Sequence, residues 1–137
     1  MSTTIRPEIS MRNNYWIERH RYYELKHFCL QYPIWKKASS NLDGLAKRGD
    51  GIGHSSGAAY DPTSKAAEAR EWYLDKMRLI EDAANESDTA LAPYILKGVT
   101  EGVSYEHLRS KHGIPCGKDM YYNRYRRFFW ILNKTRD

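Results

Sequence analysis

The chain has 137 residues with 22 Lys and Arg against 17 Asp and Glu, a net charge of +5, and two cysteines. That length holds one domain, or one compact module with an arm, and excludes a two-lobed enzyme built on a large core. Cys29 and Cys116 lie far apart, and no signal-like or long apolar segment accompanies them, so the expectation is two free thiols in a reducing, cytoplasmic setting and no membrane span.

Residues 1–13 read as a polar lead. The string YWIERHRYYELKHFCLQY then places Ile17, Leu25, Phe28 and Leu30 among charged residues and predicts an amphipathic helix, which Pro33 should end or bend at Tyr32. IWKKAS reads as a further turn. Residues 41–60 hold five of the nine glycines and read as a flexible linker. The GDGIGH within it lacks the Lys and Ser or Thr of a phosphate loop, and no strand precedes it. Asp61 and Pro62 are a cap and a first-turn residue for a helix running to about Asn85. Its stripe is Ala69, Tyr73, Met77, Ile80 and Ala84, widened by Trp72 and Leu79, a face broad enough to demand another helix.

From Ser87 on, two short helices and a longer one are expected. Tyr94, Ile95, Leu96 and Val99 cluster before Gly102, which suits a helix C-terminus. Ser104 can cap a second helix that turns Tyr105 and Leu108 inward and ends at Gly113, with Ile114 plugging the gap between helices. A third helix should run from about Lys118 to Asn133. No segment alternates with period two, so the fold class expected is all-α.

The charge is not spread evenly. From Ser104 on there are eight basic and three acidic residues, whereas the rest of the chain holds fourteen of each sign, so the whole excess lies in the last quarter, where a phosphate backbone could use it. At 100° per residue the last helix puts Tyr121, Tyr125, Phe128 and Leu132 on one narrow inward face. Asp119, Tyr122, Asn123, Arg126, Arg127 and Trp130 lie opposite. Lys118, Asn123 and Arg126 carry donors suited to guanine and adenine edges in the major groove, Arg127 and Lys134 sit where phosphates would be met, and Arg109 and Lys111 add charge on the preceding helix. Two short helices and a glycine-containing turn before such a face make the helix-turn-helix arrangement.

Other chemistries have less behind them. His107 and His112 near Cys116 lack a fourth ligand and the paired spacing of zinc sites, so no metal and no cofactor are expected. Glu68, Glu71 and Asp75 share a helix side as ordinary exposed charge, and no nucleophile and base pattern stands out, so the chain does not read as an enzyme.

The string VTEGVSYEHLRSKHGI resembles the promoter-reading last region of bacterial sigma factors, over Glu101 to Ile114. The chain as a whole, from Tyr15 to Lys134, resembles phage transcriptional regulators of the RinA and ArpU kind. The shared features are the Tyr32-Pro33 step, the Thr63 to Lys65 helix start and the final sigma-like helix-turn-helix. The resemblance implies a late-gene activator in the cytoplasm of a bacterial host, with double-stranded DNA and host RNA polymerase as partners. The expected division is residues 1–86 as an N-terminal helical oligomerisation part, including the linker at 41–60, and residues 87–137 as the DNA-binding domain. The apolar surface of the first part and the limited specificity of one small head suggest a homodimer reading two half-sites. The alternative is a DNA-packaging adaptor similar to a phage small terminase.

Overall fold

The computed structural model describes residues 13–48 and 62–136, and every regular element among them is an α-helix. These are α1 (Arg19–Leu30), α2 (Tyr32–Arg48), α3 (Pro62–Ser87), α4 (Ala92–Glu101), α5 (Tyr105–His112) and α6 (Lys118–Thr135). The fold is all-α, as the periodicity predicts. The described residues form two compact units, one taking those up to Gln31 and from Leu79 onward, the other those within Tyr32–Arg78.

The first unit begins with α1. The Glu18 carboxylate accepts hydrogen bonds from the backbone N–H of His20 (2.8 Å) and Arg21 (3.1 Å), satisfying two donors that the first helical turn leaves free. At the other end, Pro33 has no N–H to offer the Cys29 carbonyl, so the ladder stops. The same proline costs nothing in the first turn of α2, where a missing donor is tolerated. Tyr22, Leu25, Phe28 and Cys29 of α1 are buried, and α1 packs on α4 and α6. Leu30, expected in the stripe, is exposed, while Tyr22 and Cys29 replace it.

The end of α3 supplies Ile80, Ala83 and Ala84 to this core, α4 supplies Ile95 and Val99, α5 Leu108, and α6 Tyr121, Phe128, Phe129, Ile131 and Leu132. The inward face of α6 is therefore wider than the narrow stripe the projection predicts, because both α1 and α4 lie against it. An aromatic cluster forms the seam. Tyr22 meets Phe129 edge-on at 5.1 Å, Tyr125 meets Phe129 at 5.0 Å, and the Tyr22 and Tyr125 hydroxyls share a hydrogen bond of 3.0 Å. The Arg21 guanidinium donates to the Asn133 side chain (2.7 Å) and to the Arg136 carbonyl, and the Arg136 guanidinium lies 4.2 Å from the Phe28 ring. Trp130, left outward by the projection, meets Tyr15 edge-on at 5.5 Å and so covers the segment leading into α1. The expected boundary at residues 86 and 87 runs through this unit, since α1 is part of the same core.

The second unit holds α2 and the first two-thirds of α3. The IWKKAS segment, expected as a turn, belongs to the 17-residue α2, and Asn41 to Arg48 continue that helix. The rest of the expected linker, and the expected cap Asp61, lie outside the described residues. Tyr32, Trp35 and Ser39 are buried at helical spacing, and the Ser39 hydroxyl donates to the Lys36 carbonyl (3.0 Å). Arg70 of α3 pairs with Asp43 of α2 at 3.4 Å. Within α3, Arg78 reaches both Glu71 (3.0 Å) and Asp75 (2.8 Å), so these acids are engaged in exposed helix-surface pairs.

Candidate nucleic-acid interface

Four helix ends position α6, and each follows from local sequence. Asp88 precedes α4 and accepts from the Leu91 N–H at 3.0 Å, while Pro93 occupies the first turn. Gly102 ends α4 in the left-handed region, φ 70°, with its N–H on the Gly98 carbonyl at 3.0 Å. Ser104 caps α5 by accepting from the His107 N–H at 3.1 Å. Gly113 ends α5 at φ 62°, and the Ile114 N–H reaches back to the Leu108 carbonyl at 3.3 Å, the six-to-one closure that swings Ile114 into the core. The turn runs from Gly113 to Gly117, and the Tyr105 hydroxyl holds it by donating to the Cys116 carbonyl at 2.7 Å.

α6 then crosses α4 closely. A Cβ added at Gly98 would lie 2.1 Å from the Tyr121 hydroxyl oxygen, so only glycine permits this approach. The Tyr121 hydroxyl is buried without a hydrogen-bond partner among the described residues, and burial pushes it well above the ordinary tyrosine range. A second lock is Arg124, whose Nε donates to Asp88 at 3.0 Å while its carbonyl accepts from the Ser87 hydroxyl at 2.7 Å. Burial would raise the Asp88 carboxyl, but the Leu91 N–H and the Arg124 guanidinium outweigh it and hold the group below its ordinary value.

The expected site residues divide into three groups. Some are engaged across the helix-turn-helix: Lys118 pairs with Glu106 of α5 at 3.2 Å, and the Tyr122 hydroxyl accepts from the Tyr105 N–H at 3.4 Å. The Glu106 carboxyl is held below its ordinary value by its own backbone N–H and then by Lys118. Asn123 gives its side-chain oxygen to the Arg124 guanidinium, which leaves its amide donors for any base edge. Lys134 lies away from the start of α6, its ammonium 3.2 Å from the centre of the Trp130 ring.

Arg109, Lys111 and Asp119 are exposed, the first two on α5 and the third in the first turn of α6. Arg126 and Arg127 are half-buried, and the Nε donor of each is buried with no hydrogen-bond partner among the described residues. Burial lowers the Arg126 guanidinium from its ordinary value, with Asp119 pulling the other way. The chain matches no protein-family model, no curated protein and no solved structure.

Two contributors were not read from the sequence. Met120 is 45% exposed in the first turn of α6, beside the expected readers. A lone methionine at a helix start gives no signal until the inward face is known. Arg124 looks like its neighbours in the string NRYRR, and its structural partner Asp88 is 36 residues away. Neither cysteine offers a reactive thiolate, since burial raises both, Cys29 far more than Cys116. Among the described residues no group of three or more His, Cys, Asp or Glu side chains is placed to hold a metal ion, and no helix is long and apolar enough to cross a membrane.

Proposed function

We propose that this protein is a sequence-specific, double-stranded DNA-binding regulator of transcription, with α6 as the helix that enters the major groove. The observation that carries the reading is the contrast between neighbouring arginines on α6. Arg124 is consumed by Asp88, whereas Arg126 and Arg127 have no acidic partner within salt-bridge distance among the described residues. Half-buried guanidinium groups without an acidic partner, on a helix held by a glycine crossing and two capped short helices, suit base edges and phosphates. Arg126, Asn123, Lys118 and Met120 are the base-facing set, Met120 through thymine methyl groups. Arg127, Lys134, Arg109 and Lys111 are the phosphate set.

The resemblance to phage late-gene regulators supports activation in a bacterial cytoplasm with host RNA polymerase as a further partner. Two copies of the chain would read two half-sites. Selection of duplexes from a random library by the full chain tests the core of this reading. An enriched motif is expected, with affinity that falls steeply as salt rises. A folded protein that binds no duplex at low salt overturns it.

A further inference from the structure

We infer that the exposed stripe of α3 centred on Trp72 is a self-complementary surface that pairs with the same stripe of a second copy, antiparallel and across a two-fold axis at Trp72. This deepens the two-copy reading above and stands apart from its DNA chemistry. Trp72 is 56% exposed, although it lies in the middle of a long, regular helix. Its ring meets Tyr73 edge-on at 5.0 Å, and the Lys76 ammonium lies 4.2 Å from its centre. A large indole left open in this way is the residue type most enriched at the centre of protein interfaces.

The charges around it select the occupant. In an isologous antiparallel pair, positions equally far before and after the axis face each other. Glu68, four before Trp72, meets the partner's Lys76, four after, and symmetry makes this contact twice. Ala69 meets the partner's Asp75, and Glu71 meets the partner's Tyr73. No like-charged pair arises within a helical turn of the axis, and Trp72 stacks on its own copy. Among the described residues Glu68 pairs with Lys65 alone, at 4.0 Å, and its side chain is 65% exposed, so it is available for the second contact. An acidic or a basic partner would find one of the two charges repulsive, whereas a second copy satisfies both.

Sedimentation equilibrium of the full chain across the micromolar range, without DNA, tests the surface. Wild type should dimerise, and Trp72→Ser should weaken the dimer roughly tenfold or more. Glu68→Lys and Lys76→Glu should each weaken it severalfold, and the double swap should restore it. Circular dichroism confirms that each exposed-site variant keeps its helices. A monomeric wild type, or a dimer unmoved by Trp72→Ser, overturns the assignment; a double swap that fails to restore dimerisation overturns the pairing. DNA binding is scored separately. The Trp72→Ser monomer should still hold a single half-site, so loss of the dimer and loss of the DNA reading remain distinguishable.

Discussion

From Phe128 to its cap Arg136, α6 is gripped: Phe128, Phe129, Ile131 and Leu132 are buried, Asn133 and Arg136 are tied to Arg21, and Trp130 rests on Tyr15. From Lys118 to Arg127 only Tyr121 is fully buried, at the glycine crossing, with Arg124 on Asp88 and Tyr125 on Tyr22 as the further fastenings. The same mixture of aromatics and arginines thus does opposite work in the two halves of one helix. Aromatics recurring with the helical turn fill the seam with α1 and α4, and the arginines not needed for fastening, Arg126 and Arg127, are half-buried. A helix clamped along one half can hold the other half rigid without covering it, which suits the proposed role in a DNA groove.

The gripped half should be the more sensitive to mutation. Phe129→Ala, in the seam with Tyr22 and Tyr125, should cost about 3–5 kcal/mol of stability, read by urea unfolding. A chain beginning at Ser87 lacks α1 entirely and should lose its cooperative transition, because the faces of α4 and α6 that α1 covers become exposed. A fragment that unfolds as cooperatively as the full chain would show that the grip is dispensable.

The crossing at Gly98 comes next. Gly98→Ala should cost about 1–3 kcal/mol, since the new methyl runs into the Tyr121 hydroxyl. Tyr121→Phe removes that oxygen and also an unpartnered buried hydroxyl, so alone it should be neutral or stabilising, and it should rescue Gly98→Ala. Purely additive effects in this double-mutant cycle would mean that the two residues do not meet.

Arg124→Ala should cost about 1–2 kcal/mol by leaving Asp88 without its guanidinium. Asp88 titrates below its ordinary value in the folded chain, so its contribution is complete above the unfolded carboxyl pKa and disappears as pH falls through the lowered folded one. Stability curves of wild type and Asp88→Asn should therefore converge in acid and separate toward neutral pH. Parallel curves would rule out this linkage.

How far the sequence reveals this arrangement depends on how local each signal is. Gly102, Ser104 and Gly113 set helix ends through bonds to residues at most six positions away, and their roles are legible. Tyr121, Phe128 and Leu132 recur with the helical turn and are legible too. Phe129 and Ile131 are buried only because two helices approach α6 from different sides, which periodicity in one segment cannot report. Residues Pro33 to Arg48 read as turn and linker because Pro33 and the glycine-rich residues that follow Arg48 outweighed a buried Tyr32, Trp35 and Ser39 stripe at spacings of three and four. Among the candidate readers, charge and projection mark Arg126 and Arg127, but they cannot separate Arg124, whose partner is remote in sequence.

The smallest effects on stability should fall on the open half, and they should be accompanied by the largest effects on DNA. Arg127→Ala should leave unfolding within about 0.5 kcal/mol of wild type and weaken all duplexes about equally, lowering the salt dependence by roughly one charge. Equilibrium binding of Arg126→Ala to the selected duplex and to a scrambled one of the same length tests the central claim most directly. A loss of about 1–3 kcal/mol on the selected site with little change on the scrambled one, in a protein as stable as wild type, is the predicted result. Unchanged preference between the two duplexes would contradict base reading by the open half of α6.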